Sequence, residues 1–116
     1  ERWNLLHPDG EPRKPYIARA IEGAAGPFVA VSDYMRSVPE MIDRWIPGGL
    51  YALGTDGFGR SEMRDALRRF FEVDAEHVAL ACLTRLAERG EIERSSLHDA
   101  IEALGIDPDK RSPLRT

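Results

Sequence analysis

Leu50-Tyr51-Ala52-Leu53-Gly54-Thr55-Asp56-Gly57-Phe58-Gly59-Arg60-Ser61 sets a short apolar run against three closely spaced glycines, an acid and a residue able to cap a helix. Glycine reaches backbone angles closed to other residues, so this order reads as strand, tight turn and helix N-terminus. Upstream, Phe28-Val29-Ala30-Val31 is a second run rich in strand formers, without polar alternation and closed by Ser32 and Asp33. Runs of that kind are expected to be buried on both faces, as in a parallel sheet. Between the two, Ser37 and Glu40 have the Ser-x-x-Glu spacing of a capping box, and Val38, Met41, Ile42, Trp45 and Ile46 form an apolar stripe ended by Pro47-Gly48-Gly49. Residues 28 to 53 are therefore predicted as strand, helix, strand, a parallel crossover of the right-handed kind.

Outward from this unit, residues 1 to 14 are polar and hold Pro8, Gly10 and Pro12. They read as an extended lead-in whose Trp3, Leu5 and Leu6 pack on another surface. Ile17, Ala20, Ile21 and Ala24 recur at helical spacing, with Pro15 suited to the first turn and Gly26 to the stop, which predicts a helix of about ten residues. After the glycines, Ser61 is placed to cap a helix with the stripe Met63, Ala66, Leu67, Phe70 and Phe71. Its outer face carries Arg64, Arg68 and Arg69, which with Arg60 read as a solvated strip balanced by Glu62, Asp65 and Glu72. Asp74 is placed to cap the next helix, in which Val78 to Leu83 are all apolar and Leu86 and Ala87 extend the stripe. That helix is predicted to be buried over most of its circumference and to end at Gly90. Ser95 or Ser96 opens a last helix with Leu97, Ala100, Ile101 and Leu104 on one face and Gly105 past its end. Residues 107 to 116 form a polar tail with Pro108 and Pro113, expected to fray.

With 116 residues the chain holds one domain at most, and 42% hydrophobic with 31% charged residues is a globular composition. The longest apolar run, Val78 to Leu83, falls far short of the roughly 20 residues a bilayer requires. The N-terminus has no signal architecture and Cys82 has no partner for an internal disulfide, so a cytoplasmic setting without a membrane is expected. A net charge of -4 argues against a nucleic-acid partner, which calls for a basic face. His7, His77 and His98 have no spacing that would place two metal ligands on one helical turn. Cys82 reads as a small core residue rather than a nucleophile, because His77, five positions earlier, lies on the wrong face of a helix.

Two short parallel strands need neighbours on their edges and helices on both faces. The chain is thus expected to be the tail end of a larger α/β domain whose other strands precede Glu1.

The blocks Glu1-Arg2-Trp3-Asn4-Leu5-Leu6-His7-Pro8, Pro15-Tyr16-Ile17, Val29-Ala30-Val31-Ser32-Asp33-Tyr34-Met35, Leu53 to Ser61, Phe71-Glu72-Val73-Asp74 and Leu86-Ala87-Glu88-Arg89-Gly90-Glu91-Ile92 stand in one order. In that order the chain resembles the C-terminal domain of the homodimeric bacterial pyruvate dehydrogenases, over about residues 1 to 92. Departures are Glu62, where the family usually has aspartate, and the segment Gly10 to Lys14. The resemblance implies an α/β, three-layer domain of the transketolase C-terminal type. It would be present in part, as a parallel strand-helix-strand unit followed by C-terminal helices, over residues 1 to 106 with a tail at 107 to 116. It implies a long chain that dimerises, with N-terminal and middle domains binding thiamin diphosphate and Mg²⁺. Such an enzyme decarboxylates pyruvate and acetylates the lipoyl group of the acetyltransferase component. Asn4 is the only asparagine, so the Gly-Asp-Gly and distant Asn motif of that cofactor is absent. No catalytic, cofactor or metal residue is expected on this stretch.

For the glycine loop two readings stand. Asp56, Gly57, Gly59, Arg60 and Ser61 have the makings of an anion-binding nest at a helix N-terminus. In the structural reading, Asp56 accepts backbone N–H bonds to fix the turn, Phe58 plugs a neighbouring surface and Arg60 pairs with an acid across a domain boundary. The spacing is not the dinucleotide fingerprint, which puts its close glycine pair first. A stand-alone interaction module, docking a partner through an open sheet edge or an apolar helix face, is the alternative to an enzyme fragment.

Overall fold

In the computed structural model, which describes residues 1–56 and 64–115, the two apolar runs pair as a parallel two-stranded sheet. Strand β1 is Phe28–Val31 and β2 is Leu50–Leu53, with Phe28 opposite Leu50 and Val31 opposite Leu53. Helices α1 (Arg2–Leu6) and α2 (Tyr16–Ala20) precede the sheet; α3 (Ser37–Glu40) and a 3-10 turn at Asp43–Trp45 connect its strands. Helices α4 (Arg64–Phe70), α5 (Ala75–Glu88) and α6 (Ser96–Ala103) come after it, and a 3-10 turn at Pro113–Arg115 ends the described chain. Helix α5 lies against both strands and against α6, while α3 lies against β2.

Both strands begin and end where the sequence places them, and so do the helix stops at Gly90 and Gly105, which take the positive φ angles (76° and 66°) that suit glycine just past a helix. Other segments differ. Residues 1 to 14 do not run extended: α1 forms, Trp3 stacks on His7 with ring centroids 4.4 Å apart, and the Arg13 guanidinium sits 3.8 Å from the Trp3 centroid. The Asn4 amide bonds the backbone of Arg13 in both directions, at 3.0 and 2.7 Å, so the segment folds on itself. Leu5 meanwhile stays 80% exposed. The helix expected from Pro15 to Gly26 stops at Ala20. Pro15 stands ahead of it in extended backbone, and after Ala20 the chain turns through bonds from Glu22 N–H to Arg19 and from Ala24 N–H to Ile21.

The strands and α5 are half-buried, not buried all round. Only Ile46, Ala52, Phe71, Val73 and Ala81 are buried hydrophobics among the described residues, and Val31, Tyr34, Val38, Met41 and Tyr51 are exposed. No third strand among the described residues covers either edge. The radius of gyration is 17.6 Å; a compact chain of this length reaches about 13 Å. The accessible surface is 8700 Å²; a compact monomer of this mass exposes about 6,300 Å². The molecule is therefore an open slab, 54 × 36 × 20 Å, with a thin core.

Candidate functional site

In open α/β sheets the loops beyond the C-terminal strand ends carry function, because helix starts and freed backbone groups collect there. Here those loops are residues 32–36 after β1 and 54–56 after β2. They are laced together. The Ser32 N–H donates to Leu53 O at 2.9 Å, continuing the strand ladder, and the Thr55 N–H donates to Tyr34 O at 2.8 Å. The Thr55 hydroxyl donates to Asp33 O at 2.6 Å, and Ser32 Oγ accepts the Tyr34 N–H at 3.0 Å. Such close approach needs a residue without a side chain at position 54: a Cβ there would lie 2.6 Å from Tyr34 O and 2.8 Å from Arg36 N.

Asp56 completes the lacing. Its Oδ1 accepts the Arg36 N–H at 3.0 Å and its Oδ2 accepts the Arg36 Nε–H, so one residue binds the carboxylate with backbone and side chain together. The backbone bond first, then the guanidinium bond, holds the Asp56 carboxyl below the usual carboxylate range. The side-chain bond to Asp56 in turn raises Arg36 above its ordinary value. Arg36 is the residue that precedes α3, so this carboxylate satisfies an orphan donor at the start of that helix. The capping box expected from Ser37 and Glu40 does not form. Ser37 already lies inside the first turn, and no side chain caps α3 locally.

Of the loop residues the sequence singles out, Asp56 is described and is committed to Arg36; Gly57, Gly59, Arg60 and Ser61 lie outside the described residues. The sequence does not single out Arg36. Its partner is twenty residues away, and no local pattern marks that pairing.

A second polar cluster sits at the corner between α4 and α5. Asp74 caps α5 as expected: its Oδ1 accepts the His77 N–H at 3.1 Å and also the His77 ring Nδ1–H. Its Oδ2 accepts from Arg69 at 3.1 Å, and the other arm of Arg69 donates to Gly105 O just past α6. Burial pushes the Asp74 carboxyl up, yet the His77 and Arg69 bonds together bring it below its ordinary value. Arg69 is thus not part of a purely solvated strip, although Arg64 and Arg68 remain exposed. An open cleft of about 700 Å³ separates this corner from the end of β1, walled by Ser32, Asp33, Asp65, Arg68, Arg69 and Glu76 among others.

Neither cluster fits a magnesium-bound diphosphate. Magnesium takes hard oxygen donors in an octahedron, shared with phosphate oxygens. Here Asp56 and Asp74 are each held by an arginine, and among the described residues no three His, Cys, Asp or Glu side chains converge on a metal position. Cys82 is half-buried in α5. No helix among the described residues is long and apolar enough to cross a membrane.

Residues 2–74 match the family described as the transketolase-like TK C-terminal domain. The chain is 50% identical to the pyruvate dehydrogenase E1 component of Pseudomonas aeruginosa over 115 residues, 98% of this chain and 13% of that protein. It is likewise 50% identical to the E1 component of Escherichia coli K12 over 114 residues, and 47% identical to that of Mycobacterium tuberculosis over 116 residues, 13% and 12% of those proteins. It therefore spans about an eighth of the length of these curated relatives. With its parallel strand pair flanked by helices, the chain belongs to the transketolase-like C-terminal domain family and is homologous to the C-terminal part of pyruvate dehydrogenase E1 components.

Proposed function

We propose that this segment is the C-terminal structural domain of a longer pyruvate dehydrogenase chain, one that decarboxylates pyruvate and acetylates the lipoyl group of the acetyltransferase component. In this reading the chemistry belongs to thiamin diphosphate and Mg²⁺ held by the N-terminal and middle domains, in the cytoplasm. The present residues build the homodimer and support the active-site entrance. Residues 1 to 106 form the domain and 107 to 116 its tail. Asp56, Gly57, Gly59, Arg60 and Ser61 serve as a structural turn rather than as an anion site.

The observation that carries this reading is the uncovered apolar surface on one face of a two-stranded sheet with open edges and along α3. Val31, Val38, Met41 and Tyr51 are exposed here, on a chain whose relatives are some eight times longer. Open strand edges and apolar helix faces of this kind are ordinarily covered by further strands and domains. The commitment of Asp56 and Asp74 to arginines supports placing cofactor chemistry elsewhere.

The test is a pair of assays with thiamin diphosphate, Mg²⁺ and pyruvate. The full-length chain is expected to release carbon dioxide and acetylate a lipoyl domain, and residues 1 to 116 alone to give no turnover. Turnover by the segment alone would overturn the placement of the chemistry. A full-length chain inert toward pyruvate would overturn the substrate and favour an interaction module.

A further inference from the structure

The C-terminal tail meets the strand-end loops in a way the domain role leaves unused. Helix α4 ends at a strained corner: Glu72 holds φ at +61°, the left-handed region that favours glycine. A side chain from far downstream secures it. The Lys110 ammonium donates to Phe70 O at 2.9 Å, the last carbonyl of α4, and to Glu72 Oε1 at 3.3 Å. Its third bond goes to Arg111 O at 3.4 Å, and it lies 5.1 Å from the Phe70 ring centroid. With every donor engaged and the side chain 29% exposed, Lys110 fixes where the chain continues. The residues beyond it form a short turn, in which Ser112 Oγ accepts the Leu114 N–H and Ser112 O accepts the Arg115 N–H. That turn forms one wall of a half-open cavity of about 120 Å³ whose other walls include Arg36, Asp56, Phe71 and Glu72.

We propose that residues 107–115 are a strap, latched by Lys110 on the α4–α5 corner, that keeps the Arg36–Asp56 brace at the strand ends closed, with Lys110 as its positioning residue. The physical link is solvent. With the strap seated, Ser112 and Leu114 stand across a small cavity from the brace and limit the water that reaches the Asp56 side chain, which is 22% exposed, and an ion pair with less water around it is stronger. When the latch opens, more water reaches the carboxylate, the Arg36 N–H loses its partner more often, and the first turn of α3 loosens.

Hydrogen exchange on the full-length chain carrying Lys110→Met tests this, because methionine keeps the apolar stem over Phe70 and removes the ammonium. Loss of a charge-assisted bond of this kind is expected to speed exchange at the Arg36 and Thr55 amides about tenfold. Amides of the β1–β2 ladder and of α6 are expected to stay unchanged, and Lys110→Arg to restore protection. Where the methionine variant does not fold, Lys110→Gln is read in the same way. Unchanged exchange at Arg36 and Thr55, or equal acceleration throughout the sheet and α6, would overturn the strap.

Discussion

At the start of α5 the capping group is local, with Asp74 bonding His77 three residues on; at the start of α3 it arrives from twenty residues downstream, when Asp56 takes the Arg36 N–H. A local cap is available as soon as its own helix forms, whereas the Asp56 cap exists only once the ends of β1 and β2 are side by side. Helix α5 is therefore set by its own sequence, and α3 is conditional on the sheet. The same contrast explains their lengths. Fourteen residues of α5 follow one strong cap and an apolar stripe, while α3 spans four residues and leaves Met41 74% exposed.

The largest effect is expected from Gly54→Ala. The new Cβ would fall 2.6 Å from Tyr34 O, and forcing the two loops apart costs about 3 kcal/mol. Chemical unfolding of the full-length chain measures the loss, and a neutral result would mean that the loops are not laced as described. Asp74→Ala comes next, at about 2 kcal/mol, the upper end for an N-cap, because the carboxylate also holds Arg69. Its damage is expected in the first turn of α5 and not in α3.

Asp56→Asn reverses that pattern: a loss of about 1.5 kcal/mol, with exchange rising at Arg36 and Thr55 but not at His77. The same brace sets a pH dependence. The folded-state pKa of Asp56 is lowered, as is that of Asp74, so each contributes stability that is complete above the ordinary aspartate value near 4 and disappears as pH falls through the lowered one. Protection of the Arg36 and His77 amides is expected to hold from pH 7 to about pH 4 and to be lost below it. A transition centred near pH 6 would contradict the assignment. The smallest effect is expected from Ser37→Ala, within about 0.5 kcal/mol, since Ser37 makes no cap bond. A cost above about 1 kcal/mol would restore the capping box.

What is legible in the sequence divides along this same line. Both strands, the Asp74 cap and the stops at Gly90 and Gly105 depend on residues within a few positions of one another, where apolar runs, caps and glycines act directly on the backbone. The Asp56 brace, the Arg69 bond to Gly105 O and the Lys110 latch join residues 20, 36 and 40 positions apart, and no local pattern announces them. The Ser37-x-x-Glu40 spacing misleads because α3 starts one residue earlier, with Arg36 ahead of it, and the Glu40 N–H that Ser37 would have capped donates to Arg36 O at 3.1 Å. The helix expected to reach Gly26 stops at Ala20 in turns bonded three residues back, so a stripe that continues in sequence ends in space. Burial departs from expectation for another reason: continuous apolar runs imply a covering on both faces, and among the described residues most of that covering is not supplied.

Peroxide footprinting of Met41 in the assembled full-length protein tests the reading of that open surface most directly. Packing of the apolar flank of α3 against other parts of the enzyme is expected to keep the Met41 thioether reduced long after exposed methionines have become sulfoxides. Oxidation of Met41 as fast as theirs would show that this face stays in solvent, and the role of the segment as the buried completion of a larger enzyme would be contradicted.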